Sequence, residues 1–359
     1  MDATNSAQPA GAPTDLNLVV TSSGDREPMD LDTLNTPTGR LLDMFLAACP
    51  AVDGGSNPFA TDGLPSTMRG TVIAANGRAG LIVRHRLIEH LPYFLRADTE
   101  WTQQHLIAAL LDDEAEAISL WRALARQTQF VEVLEIIGSA MVMRVSDLRL
   151  GRETRQSLVF SLVVECLHAL FEDRKPAVPY ASIQQMLRAL DDELRARAAG
   201  AIQQFVREAA AGHGGDKAGP SAEDLFERGA APFLRTVWPQ ERSLSMPGVS
   251  RALADLPATA KGAFAPAVEA IDRFLVPFDA WSLLDYGLYG DEDEEPKLSI
   301  INTPVKASAL LRLLDATIGT AASAVIPYDL AAALARIEEI TPRLAQDPSF
   351  RRLAAAARR

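Results

Sequence analysis

Apolar residues recur at three- and four-residue spacing along most of this 359-residue chain, whereas runs that alternate apolar and polar residues are nearly absent. The first pattern places apolar side chains on one face of an α-helix, and the second is typical of a half-buried strand. Leu158, Leu162, Val163 and Leu167, for example, form one continuous helical face. The sequence therefore predicts an all-α protein, an irregular, solenoid-like array of antiparallel helices with less than about a tenth strand.

Capping signals indicate where several helices begin. Thr36-Pro37 and Thr303-Pro304 each place a threonine at the N-cap and a proline at the first helical position, where the missing N–H is not needed. This echo is either a repeated helix start or an internal duplication. Asp98 or Thr99 is the predicted cap of a helix that contains Trp101 and His105. Ser182, with a glutamine three residues later, predicts a capping box and a helix start.

Breaker residues predict how the chain is divided. Residues 1–28 are polar and carry prolines and glycines, so they are predicted to be a disordered leader, with a short strand at 18–21. Residues 29–211 then form an N-terminal helical array. Residues 212–220 contain four glycines and a proline, which predicts a flexible linker. Residues 221–359 form a C-terminal helical array.

Composition argues against several classes of protein. The net charge is −12 at pH 7 and the pI about 5.0, the opposite sign from most proteins that bind nucleic acid or anionic membranes. No apolar stretch approaches the roughly 20 residues needed to span a bilayer. The two cysteines, Cys49 and Cys166, form no disulfide framework, and the leader does not resemble a secretory signal. We therefore expect a cytoplasmic protein that binds neither nucleic acid nor membrane.

No set of residues in the sequence indicates a reaction. The five histidines lack the spacing of metal ligands, and no phosphate loop, nucleophile elbow or dinucleotide fingerprint occurs. We therefore predict no catalytic, cofactor-binding or metal-binding residue. The alternative is an enzyme with an unrecognised site in a cleft between the two arrays, near His105 or His168. A secreted effector or scaffold is a third class.

Two kinds of side chain are candidates for contacts with a partner. Tryptophan is enriched at binding hot spots, so any exposed tryptophan among Trp101, Trp121, Trp238 and Trp281 is a candidate interface residue. A basic stretch is either an ordinary helix surface or a contact for phosphate or nucleic acid. It comprises Arg78, Arg84, His85, Arg86, His90 and Arg96.

Five segments resemble a known helical domain in the order in which they occur. The first, at 34–41, is an Asn-Thr-Pro-Thr-Gly start before a leucine-rich helix. The second, within 84–106, is an aromatic helix end followed by a Trp-Thr…His-Leu run, and the third is a helix at 114–121. The last two are a Leu-Arg…Trp-Pro turn within 233–239 and a closing segment at 337–353. The chain thereby resembles an uncharacterised helical domain that follows a sirtuin-like, NAD-hydrolysing domain in bacterial antiphage defence proteins.

The resemblance implies a role without catalysis. In such defence proteins the NAD-hydrolysing centre lies in the sirtuin-like part, and this sequence carries no such part. The resemblance therefore implies a sensor, regulatory or assembly module, with an effector subunit or a phage protein as its partner. The oligomeric state stays open, and no cofactor is expected. The residues expected on the interaction surface are Arg84, His85, Trp101, His105, Trp238 and Pro239.

Overall fold

The computed structural model describes residues 31–52, 57–60, 63–211, 219–288, 298–321 and 323–358. Every regular element in these residues is a helix and none is a strand, which confirms the all-α class. The predicted leader and its strand at 18–21, and most of the predicted linker, lie outside the described residues. The chain divides into two compact units, Met1–Ser161 and Leu162–Arg359.

The first unit is built from short and medium helices, one of which contains a π-helical turn at Gln103–Ile107 between α5 and α6. Its helices are α1 (Pro37–Ala47), α2 (Leu64–Ile73), α3 (Gly77–Glu89), α4 (Leu91–Ala97), α5 (Thr99–Thr102), α6 (Ala108–Leu111), α7 (Ala115–Leu124) and α8 (Val131–Arg144). A longer helix, α9 (Arg152–Phe171), carries the chain from the first unit into the second.

Helix α3 lies at the centre of the first unit, where it packs against α1 and α7. Val83 and Leu87 of α3, and Ile118 and Trp121 of α7, have no exposed surface. Burial of such side chains stabilises the fold by roughly 1.5–3 kcal/mol each. The apolar stripes seen in the sequence are therefore the surfaces that hold this unit together.

The second unit also contains a π-helical turn, at Phe226–Ala230 between α12 and α13. Its helices after α9 are α10 (Tyr180–Ala189), α11 (Asp192–Ala211), α12 (Ala222–Leu225), α13 (Ala231–Thr236), α14 (Pro247–Ala254), α15 (Leu256–Thr259), α16 (Phe264–Ile271), α17 (Pro304–Thr317), α18 (Leu330–Ile340) and α19 (Pro348–Ala356). Short 3₁₀ turns join several of them, among them Lys261–Ala263 and Asp272–Phe274.

The division between the units differs from the predicted one. The boundary between residues 161 and 162 falls inside α9, whereas the sequence predicted a division at 212–220. Helix α11, before that segment, packs against α14, after it, and Ile202 and Leu253 of these helices are fully buried. Because their apolar faces are buried in one core, the helices on both sides of 212–220 belong to the same unit.

The predicted caps are confirmed at three helix starts. The hydroxyl of Thr36 accepts a hydrogen bond from the N–H of Gly39 (3.0 Å), and that of Thr303 accepts from Lys306 (3.3 Å). Asp98 accepts from the N–H of Trp101 (3.1 Å). These side chains satisfy N–H groups that the first helical turn leaves without a partner.

The predicted helix start at Ser182 is wrong. Helix α10 begins at Tyr180, and its N-cap, Pro179, makes no side-chain cap. The carbonyl of Pro179 accepts hydrogen bonds from the N–H groups of Ser182 (2.9 Å) and Ile183 (3.2 Å), so Ser182 already lies inside the first helical turn.

Candidate functional site

The expected interaction residues of the first unit differ in their exposure. Arg84, Trp101 and His105 are half-buried, whereas His85 is only 1% exposed. His85 projects into the core from α3, where its Nδ1 lies 3.6 Å from a carboxylate oxygen of Glu89. A side chain with this burial cannot contact a partner in this conformation. The other three residues keep some surface for such a contact.

Trp101 is one wall of a site that encloses an arginine. The guanidinium carbon of Arg69 lies 4.3 Å from the ring centroid of Phe59 and 4.5 Å from that of Trp101. Its Nη1 donates to Asp98 (2.8 Å), the residue that caps α5. The carboxylate compensates the charge of this buried cation, and stacking on the two aromatic rings stabilises it further. Sequence reasoning missed Arg69 because it lies 29 residues before Asp98 and carries no local motif.

This arrangement shifts the pKa values of two neighbouring groups. Burial raises the pKa of Asp98, but hydrogen bonds from Arg69 and from the N–H of Trp101 lower it by more, so that the net pKa lies below the ordinary value. Burial lowers the pKa of His105, and the positive charges of Arg69 and Arg84 lower it further. The His105 ring, centred 5.1 Å from that of Trp101, is therefore mostly neutral at pH 7.

Part of the basic stretch is neutralised inside the first unit. Arg86 donates to Asp43 (2.7 Å) and also to Glu89, which is 8% exposed. Arg126, from outside the stretch, donates to the same Glu89 carboxylate (2.5 Å). Arg86 thus serves an internal ion-pair network, which supports the reading of this segment as an ordinary helix surface.

In the second unit, the Trp238-Pro239 turn is an internal anchor. Trp238 is 2% exposed, and its ring centroid lies 6.5 Å from that of Phe233 and 6.3 Å from that of Phe274. Pro239 is buried as well. These two side chains do not present the contact surface that was expected of them. Their packing instead fixes the position of the next residue, Gln240.

Gln240 lies at the edge of a groove of about 570 Å³ between the helix that contains the π turn and α16. We call this feature the charged groove. Its volume lies within the range typical of ligand sites. Its apolar lining consists of Phe226, Ala231, Leu234, Pro266, Ala270 and Phe274. Its polar lining consists of Glu227, Arg235, Gln240, Glu269 and Arg273.

Gln240 holds the guanidinium of Arg273 in place. Arg273 Nη1 donates to Gln240 Oε1 (2.8 Å), and Nη2 donates to the main-chain carbonyl of the same residue (2.9 Å). The side-chain amide of Gln240 in turn donates to the carbonyls of Leu234 (2.8 Å) and Trp238 (2.7 Å). Arg273 is thus oriented by neutral groups, and no carboxylate among the described residues forms an ion pair with it.

An exposed aromatic pair also lies in the second unit. Trp281 is 68% exposed and Tyr328 is 72% exposed, and the N–H of Tyr328 donates to the carbonyl of Trp281 (3.0 Å). We call these two residues the Trp281–Tyr328 surface. Trp121, by contrast, has no exposed surface. Trp281 is therefore the tryptophan that best meets the expectation of an exposed interface residue.

The histidines invoked for an enzymatic alternative have structural neighbours. Nδ1 of His168 lies 3.7 Å from Glu172, and its ring meets the Phe205 ring edge-on at 5.1 Å. Burial lowers the pKa of His168. Within the described ranges, no group of three or more histidine, cysteine or acidic side chains is arranged to hold a metal ion. None of the helices placed by the structure is long and apolar enough to cross a bilayer.

Comparisons with known proteins add no relative: no family model, no curated protein and no solved structure matches this chain. The candidate sites therefore depend on the geometry described above.

Sequence reasoning missed every polar residue of the charged groove. Arg235 is 38 residues from Arg273 along the chain. Gln240 directly follows the Trp238-Pro239 pair and belongs to no sequence motif of its own. Only the packing of the two helices brings these residues together. The one available signal was the Leu-Arg…Trp-Pro turn at 234–239: its Leu234 and Arg235 line the groove, and its Trp238 packs against Phe274.

Proposed function

We propose that this chain is a non-catalytic protein-interaction module that binds its partner through the Trp281–Tyr328 surface. One observation carries the proposal: two large aromatic side chains, joined through their main chains, are 68% and 72% exposed. Tryptophan and tyrosine are over-represented among residues that dominate binding energy, because they bury much surface with few rotatable bonds.

The backbone beneath Trp281 supports this role because it is held by several hydrogen bonds. The N–H of Trp281 donates to Asp285 (2.8 Å). The hydroxyl of Ser282 donates to the buried carboxylate of Asp329 (2.7 Å), which also accepts from the N–H of Leu283 (2.9 Å). Asp329 is the neighbour of Tyr328 in the chain, so both aromatic residues are attached to one network. A surface fixed in advance loses less conformational entropy on binding.

The resemblance to helical domains of antiphage defence proteins suggests what the partner is. We propose that the partner is a separate effector subunit or a phage protein, which this chain recognises in the bacterial cytoplasm. In this role the chain acts as a sensor or regulatory module, and the effector supplies the chemistry.

The test measures binding of the purified chain to the product of a neighbouring gene or to a phage protein. The variant replaces both Trp281 and Tyr328 with alanine. Loss of two hot-spot residues should weaken binding roughly 30-fold or more. The matched control is Val305→Ala, since Val305 is also 68% exposed but lies outside the surface.

Two results would contradict the proposal. A complex that tolerates the double variant as well as it tolerates Val305→Ala would exclude the Trp281–Tyr328 surface as the contact. Turnover of NAD by the purified chain, abolished by a single substitution in it, would exclude a non-catalytic role.

A further inference from the structure

The charged groove has two walls that run in the same direction. Near the start of the walls, the N–H of Gly262 donates to the carboxylate of Glu223 (2.7 Å). Near their end, Arg273 donates to Gln240 (2.8 Å). One wall therefore runs from Glu223 to Gln240 beside the other, which runs from Gly262 to Arg273. Residues at similar distances from these two links lie at the same level of the groove.

Opposite charges line the two ends of the groove. Glu227 lies four residues after Glu223 and so lines the end where the walls start. Arg235 and Arg273 line the end where the walls finish, close to Gln240. Glu269 lies one helical turn nearer the acidic end than Arg273. The groove is therefore acidic at one end, basic at the other and apolar along its floor.

No close ion pair in the described part of the chain involves the charges of the groove, although the negative charge of Glu269 acts at longer range on Arg312, whose pKa it raises. Among the residues that the structure describes, no ion pair within 4.0 Å involves Glu227, Glu269, Arg235 or Arg273. This is unusual in a chain where Arg312, close by, makes two 2.7 Å bonds to Asp272. Charges that form no close ion pair, placed around an apolar floor, are complementary to a ligand with opposite charges at its two ends.

We propose that the charged groove binds a short free peptide with apolar side chains. The peptide ammonium group would pair with Glu227, and its terminal carboxylate would accept hydrogen bonds from Arg235 and Arg273. Arginine suits a carboxylate because its planar donors can bind both oxygens. Apolar peptide side chains would cover the floor formed by Phe226, Leu234 and Phe274.

The dimensions of the groove set the length of the peptide. Arg235 lies eight positions after Glu227, and because the π turn absorbs one of these residues, the two are about 10 Å apart along the helix axis. An extended peptide spans about 3.3–3.6 Å per residue, so about three residues reach from one end to the other. This ligand site goes beyond the proposed partner contact and uses none of the residues of the Trp281–Tyr328 surface.

The test titrates the full chain with the tripeptide Leu-Ala-Leu in a calorimeter at low salt. Two modified peptides remove one charge each: the N-acetyl form lacks the ammonium group and the C-amide form lacks the carboxylate. Two variants remove one protein charge each, Glu227→Gln and Arg235→Gln, and both sites are exposed, so the fold should persist. Glu338→Gln and Arg343→Gln are the matched controls, at exposed positions outside the groove.

We expect saturable binding with one peptide per chain. Each peptide modification and each groove variant should weaken it roughly tenfold or more, because each removes a charged hydrogen-bonding group. The control variants should bind as the wild type does. Absence of binding by Leu-Ala-Leu, or equal binding of the modified peptides, would overturn the proposal. Full binding by Glu227→Gln and Arg235→Gln would overturn it too.

Discussion

Arginines have opposite surroundings in the two units. In the first unit, Arg69 lies between two aromatic rings, and its charge is paired with Asp98 beside a helix that continues into a π turn. In the second unit, Arg235 and Arg273 lie beside another π turn but face an open groove and have no carboxylate partner among the described residues. Similar local elements thus build an internal support in one unit and a charged surface in the other.

This difference separates structural from functional arginines. Removal of one partner from a buried ion pair is strongly destabilising, because it leaves an uncompensated charge or a void. An exposed cation with neutral neighbours contributes little to folding and remains able to bind an anion. The comparison therefore predicts different consequences for substitutions in the two units.

The largest expected effect is at Arg69. Arg69→Ala should lower the free energy of unfolding by about 3 kcal/mol or more, because it leaves the Asp98 carboxylate unpaired and empties the space between two rings. Urea denaturation measures this change. Arg235→Ala, the counterpart in the second unit, should stay within about 0.5 kcal/mol of the wild type. Equal destabilisation by the two variants would break the comparison.

The next effect concerns the π turn of the second unit. A Cβ atom added at Gly229 would lie 2.8 Å from Cε1 of Phe205, so Gly229→Ala should destabilise the protein by about 1–3 kcal/mol. The control is Gly200→Ala in α11, where a Cβ would meet nothing within 4 Å. That variant should stabilise the protein by up to about 1 kcal/mol, because alanine favours helix. Thermal unfolding curves that rank the two variants in the opposite order would contradict this account.

The smallest effect is the pH dependence that Asp98 confers. The pKa of Asp98 is lower in the folded protein than in the unfolded chain, where it is about 3.9. Its contribution to stability is therefore present above the unfolded pKa and is lost as the pH falls through the folded pKa. Asp98→Asn should destabilise the protein more at pH 7 than at pH 3, as measured by urea denaturation. In an Arg69→Met background this difference between the two pH values should shrink.

Local sequence signals predicted much of the fold but little of the candidate site. The caps at Thr36, Asp98 and Thr303 depend on residues within one helical turn, so the sequence was sufficient to find them. The unit boundary inside α9 could not be predicted, because it depends on which helices pack together. Pairings such as Arg69 with Asp98, and Arg273 with Gln240, join residues that are distant in the chain.

Exposure was the second quantity that the sequence did not reveal. Trp238 and Trp281 are both followed within a few residues by turns, yet one is 2% and the other 68% exposed. Periodicity could not separate them, because neither belongs to a long amphipathic helix. Only the position of Phe233 and Phe274 around Trp238 distinguishes an anchor from a surface residue.

The π turn at Phe226–Ala230 makes the geometry of the second unit depend on the number of residues as well as on their identity. A π turn accommodates one residue more than the α-helix around it, and each residue of an α-helix advances the chain by about 100°. Loss of one residue from this turn would therefore let the helix become regular while the residues after it keep their phase. Loss of one residue from the α-helical turn that follows would instead rotate everything after it by about that angle, and Leu234 and Arg235 would leave the groove wall although neither had been substituted. The effect of a deletion in this helix thus depends on whether it falls inside the π turn or outside it.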